Sequence, residues 1–478
     1  MNFVSPDLSP AFAEMFVLGM TCLVLVVDVY LKDSQRGITY VLSMLTLLGA
    51  AAITATSGVV ARELTFSGHF VSDPMGDVLK LVVYATTAVV FMYSRDYLRK
   101  NDLFKGEFFM LALFAMLGIM VMISAGSMLS LYLGLELLSL SMYALVAFQR
   151  DSAQAAEAAM KYFVLGAIAS GCLLYGISLL YGMTGTISLS GVSAIFSSAD
   201  QFNIPVLFGL SFVVVGVAFK FGAVPFHAWV PDVYQGAPAA VTLFIASAPK
   251  IAAFALAIRL LVDGLGDLQG GWQDMLVALS VLSIIIGNLV AIVQTNIKRM
   301  LAYSTISHVG FILLGILTGS QEGYAAAMYY AIAYVVMTTG AFGLIIILSR
   351  KGYEAEHLDD FKGLNSRSPW LAGMMLMLVF SMAGIPPFVG FYAKLTVLMG
   401  LVEVGLTWLA VLALVFSVVG AFYYLRVVKL MYFDEARETG EPEAALDIRV
   451  LLSANAALVL LLGLFPDGLM SLCIKVFQ

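Results

Sequence analysis

The sequence predicts an all-α, polytopic membrane protein with about 14 transmembrane helices, and two observations carry that prediction. Of its 478 residues, 61% are hydrophobic and only 12% are charged, which is not the composition of a soluble protein. Apolar windows of about 20 residues, the length at which a helix crosses a bilayer, also recur along the chain. The predicted spans are 11–31, 38–57, 75–93, 107–124, 128–148, 158–182, 205–224, 238–262, 274–294, 299–318, 323–349, 370–402, 406–432 and 449–473.

Two of these spans are expected to be broken. The seventh extends to a segment 205–235, which Pro225 interrupts, and the sequence GIPPF at 384–388 interrupts the twelfth, because proline has no backbone N–H and its ring clashes within a helix. The breaks lie about five spans apart, and an odd offset relates two halves by inversion, an arrangement common in transporters. We expect one membrane domain, residues 1–478, that contains inverted repeats. Its predicted parts are three N-terminal helices (1–106), a first repeat of helices 4 to 8 (107–262), a second repeat of helices 9 to 13 (274–432) and a C-terminal helix (449–473).

The distribution of Lys and Arg predicts the orientation of the chain. Outside the spans, seventeen of these residues fall in loops on one side, and Arg62 and Lys475 fall on the other. Since positive residues accumulate on the cytoplasmic side, both termini are expected on the outer, periplasmic side. The first span lacks a preceding basic segment and a small-residue cleavage site, so we expect it to be retained as a helix.

Charge and cysteine content argue against two classes of function. A net charge of −6 over this length gives no basic patch, so no nucleic-acid partner is expected and the lipid bilayer is the expected environment. Cys22, Cys172 and Cys473 lie in apolar runs without CxxC spacing. We therefore expect small buried thiols, with no disulfide, zinc or iron-sulfur framework in this chain.

Four charged residues lie inside apolar spans and predict a proton path. They are Glu136, Lys220, Lys250 and Lys394. A charge at the centre of a bilayer costs at least about 2.5 to 3.5 kcal/mol, so such residues usually have a function. Lysine and glutamate can both hold and release protons when desolvated. The alternatives are that Glu136 ties two helices together and that Lys394 extends to the membrane surface.

Two histidines are candidate relay groups. His227 follows the Pro225 break by two residues, and imidazole titrates near neutral pH. His308 shares a helical face with Ser304, and Tyr303 and Ser307 flank that face, which could hold water inside a bundle. The alternative for each is a structural hydrogen bond, to a helix-end carbonyl or to a neighbouring helix.

The other charged residues near span ends are expected to act locally. Asp77 and Lys80 are three residues apart and are expected to pair, and Arg259 is expected to extend its guanidinium to the membrane surface. Glu157 and Lys161 have the spacing and order of a favourable helical pair, which is either structural or a modulator of the proton path.

Three motifs together resemble a known family. They are KFGAVPFHAWVPDVYQGAPAAVTLFIASAPK at 220–250, KRMLAYSTISHVGF at 298–311 and GIPPFVGFYAK at 384–394. With the intramembrane Glu136, they resemble the antiporter-like subunits of respiratory complex I, and the resemblance covers essentially the whole chain. Within that family, the chain differs from the L type, which carries a long lateral helix, and from the M type, which typically has glutamate in place of Lys394.

The resemblance implies a proton-translocating subunit of an NADH:quinone oxidoreductase. It implies that Glu136 and Lys220 interact as a pair, that Lys250 and Lys394 continue the path, and that His308 lies on the axis between them. It also implies that partner subunits bind NADH, FMN, iron-sulfur clusters and quinone, and that this chain holds no cofactor.

The resemblance also implies neighbours and a location. The expected neighbours are M-type, K-type and J-type membrane subunits, and the expected location is the bacterial inner membrane. Two alternatives stay open on the sequence: a subunit of a multisubunit Na⁺/H⁺ antiporter, which shares these motifs, and a structural membrane subunit whose polar groups only pack.

Overall fold

The computed structural model describes residues 6–59, 61–197, 203–436 and 444–478. Helices dominate this part of the chain, and 13 of them are long and apolar enough to cross a membrane. One further membrane segment consists of two shorter halves, Pro369–Ala383 and Val389–Glu403. The predicted all-α, polytopic membrane fold is therefore confirmed.

We number the membrane segments α1 to α14 and mark the halves of interrupted segments a and b. The first six are α1 (Phe12–Tyr30), α2 (Gly37–Thr56), α3 (Pro74–Lys100), α4 (Gly106–Ile123), α5 (Met128–Val146) and α6 (Ala153–Thr184). The next are α7a (Ile204–Phe221), α7b (Trp229–Gly236), α8a (Ala239–Ala246), α8b (Ala248–Ala257), α9 (Gln269–Val293), α10 (Ile297–Leu317) and α11 (Gln321–Leu348). The last are α12a (Pro369–Ala383), α12b (Val389–Glu403), α13 (Thr407–Phe433) and α14 (Leu446–Leu464).

Smaller elements connect these segments. A π-helix, Ile258–Gly264, continues α8b. Strands β1 (Glu63–Thr65) and β2 (Phe70–Ser72) form an antiparallel hairpin with Glu63 opposite Ser72. Short α-helices are Leu189–Phe196, Leu364–Arg367 and Asp467–Phe477, and 3₁₀ turns are Ser9–Ala11, Asp33–Gln35, Phe66–Gly68, Gly266–Leu268 and Leu358–Phe361.

The centre of the bundle consists of α8, α10 and α11. Nearly all residues of these helices are buried, whereas α1, α13 and α14 present large apolar side chains on the outside. Helices that are apolar on all sides are typical of positions enclosed by other helices. Polar groups on the central helices are therefore shielded from lipid.

Glycines bring two pairs of helices into close contact. A Cβ atom at Gly118 of α4 would lie 2.5 Å from the Leu138 nitrogen of α5, and one at Gly287 of α9 would lie 2.7 Å from the Ser307 nitrogen of α10. Without a side chain, the backbones can touch, as is common between membrane helices. The two contacts are five helices apart, which is the offset of the expected repeats.

Both predicted breaks are present and begin with a glycine. Gly222 ends α7a with φ +79°, and Gly384 ends α12a with φ +86°. Glycine tolerates this left-handed conformation without the steric cost of a Cβ atom. Pro225 follows Gly222 by three residues and Pro386 follows Gly384 by two, so neither helix can continue.

A third break, which the sequence does not predict, divides α8. Ser247 lies between α8a and α8b with φ −112° and ψ −95°. Pro249 follows in the first turn of α8b and cannot donate a backbone hydrogen bond. The expected continuous helix over 238–262 is therefore two halves and a π-helix.

The C-terminal region also differs from the expectation. The helix expected over 449–473 ends at Leu464, and Pro466 separates it from the helix Asp467–Phe477. The last helix packs against α11 and α3. Both stretches are apolar, so hydropathy alone joins them into one span.

Candidate functional site

Each of the two predicted breaks leaves backbone carbonyls at the end of a helix half, where a lysine binds. The Lys250 ammonium donates to the Phe221 carbonyl at the end of α7a, with Nζ and O 2.9 Å apart. The Lys394 ammonium donates to the Met382 and Ala383 carbonyls at the end of α12a, at 3.2 and 2.9 Å. The last carbonyls of a helix carry partial negative charge, which favours a cation. The breaks therefore form two ammonium sites inside the membrane.

Glu136 on α5 and Lys220 on α7a each bond to a different serine hydroxyl. Lys220 Nζ donates to Ser139 Oγ at 3.0 Å, and Ser139 lies one turn from Glu136. Ser170 on α6 donates to the Glu136 carboxylate. A cavity of about 10 Å³, close to the size that one water needs, touches Ser139, Ser170 and Lys220. Among the described residues no direct ion pair joins Glu136 to Lys220, so a small helix movement would change their separation.

Lys250 lies in the first turn of α8b and is 1% exposed. Its Nζ also lies 5.4 Å from the centre of the Trp229 ring, a cation–π distance. Trp229 is fixed in turn, because its indole N–H donates to the Phe219 carbonyl at 3.0 Å. Lys250 is thus held between the end of α7a and the start of α7b.

His308 is buried at the centre of α10 and contacts two tyrosines. Its Nδ1 lies 2.7 Å from the Tyr330 hydroxyl of α11, and its Nε2 lies 3.0 Å from the Tyr424 hydroxyl of α13. Tyr424 also bonds to the Ser304 hydroxyl. In neutral imidazole one nitrogen donates and the other accepts. His308 therefore connects hydroxyls from three helices.

Lys394 on α12b completes the second half of the site. Besides the two carbonyls, its ammonium donates to Ser417 Oγ of α13 at 2.9 Å and lies 5.4 Å from the centre of the Phe311 ring. Phe311 is one turn from His308 on α10. The structure thus brings His308 and Lys394 together. Among the described residues, no carboxylate forms an ion pair with Lys394.

His227 lies in the α7 break, as predicted from the sequence, but apart from the bonds that join the other candidates. Its ring contacts the Tyr303 ring at 6.4 Å between centres. Its Nδ1 is buried and has no hydrogen-bond partner in the part of the chain that the structure describes. His227 therefore shares no hydrogen bond with the lysines of the two ammonium sites.

Sequence reasoning missed several hydroxyl groups of the site: Ser170, Tyr330, Ser417 and Tyr424. Serine and tyrosine are common in membrane helices, so their presence carries no specific signal. Which of them face the lysines depends on how the helices pack.

The expectation for Arg259 is wrong. Its guanidinium is 1% exposed and donates to both Asp73 oxygens at 2.6 and 2.8 Å and to Asp263 at 3.0 Å. Burial raises the pKa of the Asp73 carboxyl, but the Arg259 guanidinium outweighs burial and holds that pKa below its usual range. Since α8 lies at the centre of the bundle, Arg259 pairs inside the protein.

The expected pair of Asp77 and Lys80 is also wrong. Lys80 Nζ instead lies 2.6 Å from the Glu14 carboxylate of α1, and both side chains are buried. Asp77 accepts a hydrogen bond from Ser57 at 2.9 Å. Lys80 therefore pairs with a carboxylate from another helix and not with its neighbour Asp77 on α3.

The expected pair of Glu157 and Lys161 is confirmed, with 2.9 Å between the ammonium and the carboxylate. Lys161 also bonds to Asp232 of α7b at 2.9 Å, and Asp232 bonds to Arg299 of α10 at 2.8 Å. These charges are partly exposed at one end of the bundle. In the described ranges, no three His, Cys, Asp or Glu side chains are grouped so that they could hold a metal ion.

Known proteins resemble this chain over most of its length. The family described as NADH:quinone oxidoreductase/Mrp antiporter, TM, matches residues 125–420. NADH-quinone oxidoreductase subunit N of Thioalkalivibrio sulfidiphilus is 60% identical over 473 residues, which cover 99% of this chain and 98% of the relative. The protein of the same name from Thiobacillus denitrificans is 59% identical over 467 residues, covering 98% and 97%.

Solved structures share the fold. A chain of respiratory complex I from Thermus thermophilus with bound aureothin has a TM-score of 0.83 at 30% identity, covering 96% of this chain and 98% of that chain. A chain of the Mrp complex from Dietzia sp. has a TM-score of 0.85 at 21% identity, covering 98% and 97%. The resemblance inferred from the three motifs is confirmed, and the chain belongs to the NADH:quinone oxidoreductase/Mrp antiporter family of transmembrane subunits.

Proposed function

We propose that this chain is the N-type, proton-translocating membrane subunit of an NADH-quinone oxidoreductase. Relatives that match nearly its full length, at 52 to 60% identity, carry that name. The observation that carries the mechanism is the set of buried ammonium groups at two helix breaks, with one carboxylate beside the first. Buried charges of this kind mark ion pathways in membrane proteins.

A redox-driven role is favoured over Na⁺/H⁺ antiport. The description of the family names both classes. The Mrp structure shares the fold, but at 21% identity it does not favour antiport. The near full-length relatives are named as oxidoreductase subunits. A purely structural subunit is disfavoured, because uncompensated lysines inside the membrane are costly and apolar residues would pack as well.

The first step of the proposed mechanism is a change in the separation of Glu136 and Lys220. A carboxylate close to an ammonium favours the protonated lysine, and its withdrawal favours release of the proton. Lys220 bonds to Ser139 of α5 and Glu136 bonds to Ser170 of α6, so a rotation of α5 against α7a is enough to change the interaction of the two charges. Quinone reduction in partner subunits would drive that movement.

The next steps carry the proton across the centre. Lys220 passes its proton towards Lys250, which bonds to the carbonyl of the residue next to Lys220. His308 and its tyrosines lead on to Lys394, and release there is to the outer side. His227 is a candidate entry group for the first half. Moving one charge against about 100 mV requires about 2.3 kcal/mol, which a modest change in one ion-pair interaction can supply.

The proposed assembly follows from the family. Other membrane subunits of the complex, of the M, K and J types, would flank this chain in the bacterial inner membrane, with both termini periplasmic. NADH, FMN, iron-sulfur clusters and quinone would be bound by partner subunits. The redox energy then reaches this chain through movement and charge.

NADH-driven proton uptake by inverted membrane vesicles tests the proposal. Lys220→Ala should reduce both proton uptake and coupled NADH oxidation about 100-fold, the size typical for loss of a proton-transfer group. Native gels would verify that the complex assembles. Normal uptake by an assembled Lys220→Ala complex would overturn the proposal, and Lys475→Ala, at the C-terminus, is the matched lysine control.

A further inference from the structure

A polar cavity of about 410 Å³ opens at the end of the bundle where Lys and Arg accumulate. Its wall includes Tyr97, Lys298, Glu354 and Glu356. None of these residues belongs to the proton path described above. The cavity reaches the start of α8a, the helix that leads to Lys250.

Lys298 closes the bottom of this cavity between two carboxylates. Its Nζ lies 2.8 Å from Glu354 and 2.7 Å from Glu356, and its side chain is 1% exposed. The carboxylates are 24% and 22% exposed, so water in the cavity reaches them and not the lysine. The same ammonium donates to the Ala237 carbonyl, which also lines the cavity, at 3.2 Å. Lys298 thus lies between two carboxylates of the cavity and the first turn of α10, which continues into the protein interior.

The two carboxylates have different roles. Glu354 accepts from the Tyr97 hydroxyl and from the backbone N–H of Ala239, so it is tied to α3 and α8a. Burial raises its pKa, but the Lys298 ammonium outweighs burial and holds that pKa below the usual range. Burial raises the pKa of Glu356, and although Lys298 opposes this, the nearby Glu354 carboxylate adds to the rise. Glu356 is thus the carboxyl that holds a proton more readily.

A series of buried hydroxyls continues inward from Lys298. Thr305 lies two turns from Lys298 on the same face of α10, about 10 Å along the axis. Its hydroxyl bonds to Tyr334 of α11 at 2.7 Å, and the Tyr334 ring lies 5.3 Å from the His308 ring. Tyr234 of α7b faces Thr305 and Tyr334.

The Tyr234 side chain is fully buried, and its hydroxyl interacts with the Thr305 hydroxyl. A buried hydroxyl normally has a partner, so Tyr234 is suited to exchange a proton with Thr305. Its ring packs edge-on against Phe342, which fixes its direction. The hydroxyls thus lie between Lys298 and His308, and a proton needs bridging water at two places: along the roughly 10 Å from Lys298 to Thr305, and between Tyr334 and His308.

We propose that Glu356 and Lys298 form the proton-loading site of this subunit, and that Tyr234, Thr305 and Tyr334, with bridging waters, carry the proton from there to His308. This inference rests on the proposed function and adds an entry site to it. The Lys298 ammonium gives a proton inward and becomes a neutral amine, which takes a proton from the Glu356 carboxylic acid. The Glu356 carboxylate then takes a proton from water in the cavity. Each hydroxyl accepts a proton at its oxygen and passes on its own, so no charge remains on the route.

Glu356→Gln and Glu356→Asp in inverted vesicles test the loading site. Glutamine keeps one carbonyl oxygen that can accept from Lys298, but its NH2 group cannot accept from Asn296 and it cannot carry a proton, whereas aspartate can. Proton uptake by Glu356→Gln should fall about tenfold, because the neighbouring Glu354 carboxylate partly replaces the lost group. Uptake by Glu356→Asp should stay near that of the wild type. Asp151→Asn, an exposed carboxylate at the same end of the bundle, is the control.

The pH dependence separates loading from a structural role. The titratable groups that line the cavity together with Glu356 are Tyr97, Lys298, Lys351, Tyr353 and Glu354. The loss of proton uptake in Glu356→Gln should be larger at pH 8 than at pH 6. At pH 6 protons are concentrated enough to reach Lys298 without a carboxyl group that collects them. An equal loss at both pH values, or equal losses in the Gln and Asp variants, would overturn the inference.

Tyr234→Phe tests the route beyond the loading site. It removes the hydroxyl and keeps the ring against Phe342, so assembly should be normal and uptake about tenfold lower. Tyr181→Phe, on the outside of α6, is the matched control. If Lys220→Ala abolishes uptake while Glu356→Gln and Tyr234→Phe do not change it, this inference fails and the proposed function stands. If Lys220→Ala also leaves uptake normal, the proposed function itself fails.

Discussion

The breaks in α7 and α12 are alike in their backbone and differ in charge. Each begins with a left-handed glycine and ends a helix half whose carbonyls bind a lysine ammonium. The first break has a carboxylate beside it, since Glu136 lies one turn from the Ser139 that binds Lys220. In the described part of the chain, the second has only carbonyl and hydroxyl oxygens around Lys394.

This difference assigns separate roles to the two halves. A lysine whose carboxylate neighbour can move has two states of different proton affinity, so the first half is suited to receive the driving signal. Lys394 is held by the dipoles of carbonyl and hydroxyl groups, which do not carry a movable charge. Its proton affinity therefore follows the arrival and departure of protons nearby. The account therefore predicts that the first break controls the path and the second releases protons.

The largest expected effect is that of Glu136→Gln. It removes the carboxylate and keeps an acceptor for Ser170, so the two states of Lys220 become nearly equal. Proton uptake should fall about 100-fold in complexes that assemble normally. Glu157→Gln changes an exposed carboxylate on the adjacent helix and should alter uptake less than twofold, about 0.4 kcal/mol. A large loss in Glu157→Gln would instead make that pair part of the path.

The second prediction concerns release from the α12 break. Lys394→Arg keeps a positive charge at the carbonyls of α12a, but guanidinium does not give up its proton in proteins. Uptake should fall about tenfold or more while assembly persists. Near-normal pumping by this variant would mean that Lys394 acts as a fixed charge. The second break would then not be the place where protons are released.

The third prediction concerns a charge cluster outside both breaks. Asp73→Asn leaves the buried Arg259 with Asp263 as its remaining carboxylate and should destabilise the fold by about 3 kcal/mol, with the ratio of protons to electrons unchanged. Thermal unfolding of the detergent-solubilised complex measures the first effect and vesicle uptake the second. A changed ratio in assembled complexes would place this cluster in the pumping mechanism.

The pH dependence of the same variant has a defined sign. Because Arg259 holds the pKa of Asp73 below its usual value of 3.8, the pair contributes fully above that value and is lost as the pH falls through the lower folded value. The difference in stability between wild type and Asp73→Asn should therefore be constant from pH 7 to about pH 5 and shrink only in stronger acid.

The smallest predicted effect compares the glycines of the two breaks. Alanine at either Gly222 or Gly384 costs about 1 to 2 kcal/mol, because both have positive φ. A Cβ atom at Gly384 would lie 2.9 Å from Lys394 Cδ, whereas one at Gly222 would lie 2.5 Å from Val230 Cγ2. Gly384→Ala should thus lower uptake about threefold as well as stability, and Gly222→Ala should mainly lower stability, as measured by uptake and unfolding together.

Part of the fold and of the candidate site was predictable from the sequence, because it depends on local chemistry. Pro225 and GIPPF break helices wherever they stand, and a lysine flanked by apolar residues is visible without knowledge of its neighbours. The helix count, both breaks and the family followed from such signals. The break at Ser247 was not predicted, because Pro249 is its only signal in the sequence. Proline is also found in the first turn of intact helices.

Pairings between distant segments were not predictable. Hydropathy does not reveal that α8 lies at the centre of the bundle, so Arg259 was expected at a surface that it cannot reach. The partners of Lys80 and Lys298 are Glu14, Glu354 and Glu356, which belong to other helices or to a loop. The tyrosines around His308 likewise depend on which faces of α11 and α13 turn inward.

The most direct test of the central claim is a double-mutant cycle on Glu136 and Lys220. NADH-driven proton uptake would be measured for Glu136→Gln, Lys220→Met and the double variant in assembled complexes. If the two groups act as one pair, the double variant should be no slower than the slower single variant. Losses that multiply in the double variant would show that the residues act independently and would contradict control by the first break.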